Sequence, residues 1–529
     1  MPRGGPSTIS ERRVSDRASA LAAVLAASGV RAVFGVTGSG FSLQLITALE
    51  SLGVRSVAPC HEGAGAIMAG SFGVVSGTLG CCVSIKGPGL ANLLPGMLSN
   101  WYEGWPVLSV SEAYGPNRGG RAHKFLDHAQ TVRACTKAYG ELGDPTAVVP
   151  GFVRCARDEA PGPVHLDASG TDTPRIEWRP TVEAPTGDPA RATHAIRDAT
   201  RPVVIAGSLC VRRGWAARLS VLRLPVFTTV AAKGLIDERS AWSAGVYTGD
   251  GLACSPEARL LPEADLVVGI GMRPLEILTP RVFPAPLLLF DTVDPGTTDA
   301  YGATLSSCDD DGFVEEVIDG LTAHEWGREH VEEAAVRLRD RLTSDAWLPG
   351  AIFECLQRLV PTARLVVDTG LFCTVAEHVW KAATPGDFLA SANGRFMGTS
   401  VPMAIGAALA DPTRPVLCAV GDGGLRVAVG EIKLALEARL PIAFVLLTDG
   451  RYGSVAGAAG ARGLSTAATT IPEPSWYRAM AALGCESERV DTLAALEAVF
   501  VAWRAGGGPL FVEAPFDPAR YARQAEGVR

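Results

Sequence analysis

Apolar and polar positions follow two rhythms along the chain. Short apolar runs such as Val33–Val36, Val107–Val110, Val203–Ala206 and Val416–Val420 read as buried strands. Between them, apolar residues recur three and four positions apart, the period of a helix with one buried face. The first third of the chain is predicted as strand Val33–Val36, helix Phe41–Ser51, strand Ser56–Cys60, helix Gly63–Val75, strand Cys81–Lys86, helix Leu90–Trp101 and strand Val107–Val110, with Pro163–Asp167 as the last strand. Strands alternating with helices imply parallel sheets covered on both faces.

The rhythm stops over Thr171–Pro189, where Pro174, Pro180, Pro185 and Pro189 punctuate a linker. It restarts with strands at Val203–Ala206, Val226–Val230, Leu266–Ile270 and Leu287–Phe290. The charged stretch His324–Asp345 is expected as a surface helix leading into a third unit, with strands at Leu365–Val367, Val416–Val420, Ile442–Thr448 and Leu510–Glu513. The expected fold class is α/β: three doubly wound parallel-sheet domains at 1–180, 181–345 and 346–529. The length of 529 residues agrees, at roughly 150 residues per domain. The first and third units are alike in layout, without a sequence repeat that proves duplication.

The densest chemistry lies in Pro415–Val455. Strand Val416–Val420 ends in Gly421-Asp422-Gly423-Gly424. One helix is expected next, with Leu425, Val429, Ile432, Leu436 and Leu440 on its apolar face and Pro441 ending it. Strand Ile442–Leu447 then ends in Thr448-Asp449-Gly450-Arg451. Asp422 and Asp449 would both stand just past the carboxyl ends of parallel strands, the edge where open α/β sheets bind ligands. As isolated residues, either could serve only as a turn former. Together they suit a hard divalent cation such as Mg²⁺, which takes one or two carboxylates and completes its shell with phosphate oxygens. Gly421, Gly423 and Gly424 would let backbone approach a phosphate, and the helix that follows would offer its N-terminus to the anion.

On these residues the chain resembles the thiamine-diphosphate-dependent enzymes, in particular the acetolactate synthase-like 2-oxoacid decarboxylases and carboligases. The resemblance implies a pyrimidine-binding, a middle and a diphosphate-binding domain. It implies metal ligation by Asp422, Asp449 and the carbonyl of Arg451. Thr448-Asp449 stands where the family usually has Asn-Asn; Asp449 keeps an oxygen ligand and adds a negative charge that Arg426 or Arg451 would offset. In Ser391–Ala407 (SANGRFMGTSVPMAIGA), Met397 takes the place of the Met that bends the cofactor into a V, the alternative being a core-filling Met. Gly370, Leu371 and Phe372, in DTGLFCT, match the loop that touches the diphosphate by position more than by identity.

His61-Glu62-Gly63 falls between a strand and a helix, in small and apolar surroundings. Locally, Glu62 could be a helix-start residue favoured by the dipole. The resemblance makes it the catalytic carboxyl that activates the cofactor, with Cys60 replacing the family's Arg, and implies that Glu62 and the metal site meet across a dimer interface. Substrate candidates are Lys86 and Gly87, in a loop similar to the family's S-G-P-G, and His123 and His128, each either a proton donor or a satisfied histidine. In Phe125-Leu126-Asp127-His128, Leu126 replaces the Gln of acetolactate synthases. The middle unit has Gly245-Val246-Tyr247-Thr248-Gly249 where that family contacts flavin, and FAD is not expected. Asp291 and Asp294 read as a structural turn.

Composition narrows the rest. With 48 Lys and Arg against 56 Asp and Glu, the net charge is -8 and no basic stripe appears, which argues against nucleic acid. The 12 Cys are scattered without zinc-ligand spacing, as expected for reduced thiols of a cytoplasmic protein. The first residues lack the apolar core of a secretory signal, and no run is long enough to span a membrane. The expected activity is thiamine-diphosphate- and Mg²⁺-dependent decarboxylation of a 2-oxoacid, carboligation to a second carbonyl, or both, by a homodimer or homotetramer. A second reading is a degenerate homologue serving as a non-catalytic partner or regulatory subunit, suggested by Thr448-Asp449 and the altered diphosphate loop. A nucleotide-binding oxidoreductase fits poorly, because Gly35–Gly40 holds no complete G-x-G-x-x-G.

Overall fold

Runs such as Val416–Val420 bury every side chain, as strands covered on both faces must. Three largely parallel sheets are built from them in a computed structural model that describes residues 9–114, 122–168, 175–180, 188–293, 300–302, 305–306, 311–472 and 474–526. The first sheet holds β1 (Ala32–Gly35), β2 (Arg55–Val57), β3 (Gly80–Ser84), β4 (Val107–Ser111), β5 (Ala138–Glu141), β6 (Val164–Asp167) and β7 (Ile176–Trp178), in the order β2-β1-β3-β4-β6-β5-β7. The second holds β8 (Pro202–Ala206), β9 (Val226–Thr228), β10 (Ser243–Val246), β11 (Leu266–Ile270), β12 (Leu287–Phe290) and β13 (Leu305–Ser306), ordered β10-β9-β8-β11-β12-β13. The third holds β14 (Arg364–Val367), β15 (Phe388–Ala390), β16 (Val416–Gly421), β17 (Ile442–Thr448), β18 (Glu486–Arg489) and β19 (Leu510–Pro515), ordered β15-β14-β16-β17-β19-β18.

Counted from its own first strand, the third sheet runs 2-1-3-4-6-5, and the first runs the same way before adding β7. The similarity of layout seen in the sequence is therefore a shared topology. The second sheet runs 3-2-1-4-5-6, the order of dinucleotide-binding folds. In the third sheet the connections change direction between β14 and β16, and a crevice opens at the carboxyl ends of the strands there.

Several expectations change. Pro163–Asp167 is not the last strand of its sheet, because β7 follows it and pairs antiparallel with β5. β7 sits within the proline-punctuated stretch, and its exposed Ile176 and Trp178 at a sheet edge make no apolar run. The single helix expected from Leu425 to Leu440 is two helices, Asp422–Ala428 and Ile432–Glu437, joined by a 3₁₀ turn at Val429–Glu431. The buried Leu425, Ile432 and Leu440 keep the predicted face, but Val429 and Leu436 are only half-buried. The turn places Glu431 against backbone far away in sequence, as described below.

By contacts the chain divides into two compact units. One comprises Met1–Pro180, Pro402–Thr413 and Ala428–Leu440, and the other Thr181–Val401, Arg414–Val427 and Pro441–Arg529. In the first, helices Glu62–Ser76 and Pro88–Glu103 pack closely; a side chain at Gly96 would collide with the Gly63 carbonyl and the Ala66 methyl. In the second, helix Arg328–Thr343, the expected charged surface helix, buries Leu338 and Leu342 in the core that covers β14. Among the described residues no helix is long and apolar enough to cross a membrane.

Candidate active site

The crevice at β14, β16 and β17 is a cleft of about 270 Å³. Gly370, Leu371 and Phe372 line it, as do Met397, Gly421, Asp422, Gly423, Gly424, Asp449 and Arg451. The fold thus brings together the metal-ligand and cofactor-binding candidates of the last third of the sequence, but not Arg426. Two parallel strand ends supply the carboxylates, because β16 and β17 pair in register from Val416 with Ile442 to Gly421 with Leu447.

Asp422 opens the helix after β16 and is 2% exposed. Its Oδ2 accepts from the N–H groups of Asp449 (3.0 Å) and Gly450 (2.9 Å), which fixes the β17 turn around it. Its Oδ1 is buried with no hydrogen-bond partner among the described residues. A buried carboxylate oxygen left without a donor is costly unless a cation meets it. Burial raises both carboxyls, Asp449 to about 6, where the neighbouring Asp422 adds to the effect. Arg451 works the other way on Asp449, whereas Arg426 is exposed. Two carboxyls held above their usual range suit a divalent cation, whose charge inverts the penalty.

Met397 is 40% exposed, so it is not filling a core. A side chain at Gly423 would meet its sulfur at 2.6 Å and the Tyr452 ring at the same distance, so only glycine leaves this floor open. Beneath it, buried Asp368 accepts from Gly398 N–H (3.0 Å to each oxygen) and from Thr369 N–H (2.8 Å). Burial pushes the Asp368 carboxyl up to about 7 against those donors. Neither this residue nor Arg395 stands out as a candidate in the sequence. Arg395 lines the cleft at φ 49°, a backbone region where a long side chain is unusual, and pairs with the fully buried Glu377 at 2.8 Å. Its place in SANGRFMG, two residues before Met397, was the available signal.

The three sheets treat the helix after their first strand differently. After β1, the first turn of helix Phe41–Ser51 is met by Glu112, which accepts from Ser42 N–H (2.9 Å) and Ser42 Oγ (2.7 Å). Burial raises the Glu112 carboxyl, but the Ser42 bonds and Lys86 bring it below its usual value. After β8, Ser208 starts a helix and gives its N–H (3.0 Å) and hydroxyl to Glu276, which also accepts from Thr229 Oγ1 (2.7 Å). After β14, helix Leu371–Val379 starts in the cleft, and among the described residues no side chain accepts from the N–H of Leu371 or Phe372. An anion is therefore built into the first two sheets and left out of the third.

In the other unit, Glu62 is the first residue of helix Glu62–Ser76 and is 8% exposed. Asn92 donates its side-chain amide to Glu62 Oε2 at 3.0 Å. The strand-to-helix turn just before it is clamped by Glu431, whose two carboxylate oxygens accept from Cys60 N–H (3.0 Å) and His61 N–H (3.1 Å). Glu431 was missed, because nothing local marks a residue whose partners lie so far back in the chain.

The substrate candidates are spread and mostly engaged. Lys86 pairs with Glu112 at 3.3 Å and lies over the Tyr114 ring. Gly87 gives its N–H to His128 Nε2 at 3.1 Å. His128 is buried and also bonds Asp167, while His123 is exposed and its carbonyl accepts from Tyr114 Oη. Asp291 is buried in a two-bond pair with Arg273, 2.8 and 2.7 Å, as a structural turn requires; Asp294 lies outside the described residues.

Comparison with known proteins identifies the three domains. Residues 16–129, 190–288 and 368–514 match, in turn, the N-terminal TPP binding, central and C-terminal TPP binding domains described for thiamine pyrophosphate enzymes. The chain is 28% identical to the probable 2-ketoarginine decarboxylase of Pseudomonas aeruginosa over 450 residues, covering 79% of each protein. It is 26% identical to the acetolactate synthase isozyme 2 large subunit of Escherichia coli over 82% of each. To the acetolactate synthase of Bacillus subtilis it is 24% identical, over 93% of this chain and 92% of that one.

Proposed function

From a chain that belongs to the thiamine pyrophosphate enzyme family, and is thus a thiamine-diphosphate-dependent enzyme, we infer a Mg²⁺-assisted decarboxylation of a 2-oxoacid, carboligation to a second carbonyl, or both. The observation that carries the metal is the buried, unpartnered Oδ1 of Asp422 beside Asp449. The relatives' names, decarboxylase and acetolactate synthase, support the reaction class.

When bound, thiamine diphosphate supplies an electron sink for the electrons freed as CO₂ leaves. The rest falls to the protein. Asp422, Asp449 and the Arg451 carbonyl would hold Mg²⁺ against the diphosphate. Gly421, Gly423, Gly424 and the N–H groups of Leu371 and Phe372 would face its oxygens, and Met397 would support the ring system. Glu62, steadied by Asn92, would hold a proton at the aminopyrimidine. By resemblance Glu62 serves a cofactor bound by a second copy, so the working enzyme is a homodimer or homotetramer. A cytoplasmic location is part of the same reading.

Flavin has no role in this reading. Glu276 stands at the helix N-terminus where a nucleotide phosphate would sit in the second sheet. The non-catalytic reading loses ground to the retained Glu62 and to the convergence of Asp422, Asp449 and Met397 on one cleft.

The direct test mixes the purified protein with thiamine diphosphate, Mg²⁺ and a panel of 2-oxoacids, and follows CO₂ and products by mass spectrometry. Cofactor-dependent CO₂ release from at least one acid is expected. No CO₂ and no product from any donor would overturn the proposal.

A further inference from the structure

Asp167, His128 and His165 form a buried cluster in the first unit, with side chains 5%, 5% and 0% exposed. Their ligand atoms lie close enough to suggest a metal site. The hydrogen bonds argue otherwise. Gly87 N–H can only donate, and its acceptor is His128 Nε2 at 3.1 Å. The His128 proton is therefore on Nδ1, which donates to Asp167 Oδ1 at 2.6 Å. The same oxygen takes His165 Nε2–H at 3.0 Å, and Oδ2 takes the Tyr139 hydroxyl at 2.7 Å. His165 Nδ1 is left to accept from Ser109 Oγ at 2.7 Å. Each ring nitrogen then has one role, and the ring lone pairs point away from Asp167, to Gly87 and Ser109, with none for a cation. Burial alone would raise the Asp167 carboxyl, but the two histidine donors hold it at about 2. Burial likewise lowers His165, in keeping with a neutral ring.

This chain of bonds ends on a demanding turn. Gly87 has φ 64° and ψ -103°, and a side chain there would strike the Lys124 carbonyl. The next residue begins helix Pro88–Glu103, which carries Asn92 to Glu62. We propose that His128 is a positioning residue: as a neutral imidazole braced by Asp167, it fixes the Gly87 turn and, through the helix that starts there, the Asn92–Glu62 contact. The consequence for Glu62 rests on the function proposed above. With both nitrogens engaged, His128 is not free to give a proton to substrate.

Two measurements on the full-length protein test this. In the first, protein labelled with ¹⁵N-histidine is studied without cofactor, the His128 signals being identified by their loss in His128→Gln. A bare Nε2 and a protonated, downfield Nδ1–H are expected. An Nε2–H tautomer, or stoichiometric zinc in the purified protein by elemental analysis, would overturn the proposal. In the second, deuterium exchange at C2 of bound thiamine diphosphate is timed in the presence of Mg²⁺. His128→Phe, which removes the acceptor, is expected to slow exchange about tenfold or more, and His128→Gln, whose amide can accept from Gly87 and donate to Asp167, to stay within about threefold. Exchange at the wild-type rate in His128→Phe, or equal slowing in both variants, would also overturn it. Should His128→Phe fail to fold, the tautomer and the His128→Gln rate still decide. If the wild-type protein binds no thiamine diphosphate by tryptophan fluorescence, the proposed function falls, while the tautomer still judges the role of the imidazole.

Discussion

The side-chain amide of Asn92 donates to the Glu62 carboxylate at 3.0 Å, across two helices that approach closely because residue 96 is glycine. One bond thus sets the direction of the carboxyl proposed to activate the cofactor. Glu62→Gln is expected to lower turnover at least about 100-fold while leaving binding of Mg²⁺–thiamine diphosphate near wild type. Asn92→Leu, which frees the carboxylate without removing it, should cost about tenfold. CO₂ release and fluorescence titration separate the two effects; wild-type turnover in Glu62→Gln would remove the assigned role.

Asp449→Asn installs the family's residue. It removes a charge that burial and Asp422 already oppose, so the apparent Kd for Mg²⁺ in the presence of thiamine diphosphate should hold or tighten. Asp422→Ala removes the unpartnered oxygen and should weaken it by about 100-fold or more. Chelation with EDTA should abolish activity, and Mg²⁺ should restore it. Loss of binding in Asp449→Asn would call for another metal geometry.

Glu431 clamps two consecutive backbone N–H groups. Glu431→Ala leaves both unsatisfied and should cost on the order of 2–3 kcal/mol in urea unfolding. Glu431→Gln keeps one acceptor and should cost roughly half as much. No change in stability in either variant would show that water replaces the clamp.

Glu276 gives the flavin question a direct measurement. The purified protein should show no flavin absorbance and should not be stabilised by FAD or ADP in thermal unfolding. Glu276→Ala exposes the N–H of Ser208 and the Thr229 hydroxyl and is the variant in which weak nucleotide binding is expected. Stoichiometric FAD in the wild-type protein would show that the carboxylate does not close the site.

Asp167 makes a prediction about acid. Its folded carboxyl, at about 2, lies below the unfolded value. Its contribution to stability is therefore fully present above about pH 4 and is lost as pH falls toward about 2, on the order of 2–3 kcal/mol in all. Asp167→Ala should be less stable at pH 7 and should lose less of its remaining stability over that window. A parallel pH profile for the two proteins, read from urea midpoints, would contradict this.

The parallel centres of all three sheets were legible because strands such as Val203–Ala206 and Val416–Val420 bury both faces and so read as unbroken apolar runs. The edges were legible only in part: Ser56–Cys60 marks β2, but β7 and β18 are exposed and β15 is three residues long. The residues proposed to hold the metal and the diphosphate were legible because each sits at a strand end with glycines beside it. Arg395 and Asp368 were passed over, although they lie in stretches already singled out. Glu431 and the His128–Asp167–His165 cluster could not be read locally, since their partners come from separate strands and loops. The break after Ala428 belongs to the same class: the helical period of Leu425, Ile432 and Leu440 holds, but Glu431 reaching back to Cys60 and His61 requires the turn.

The first and third sheets share a strand order, and the N-terminus of the helix after the opening strand is filled by Glu112 in one and left open in the other. If the two descend from a single ancestral half, their specialisation has a small mutational footprint. A carboxylate gained at the end of β4 is enough to retire one copy from anion binding. The route also runs backwards: replacing Glu112 by a small neutral residue is the place to begin in engineering a second phosphate pocket on this scaffold.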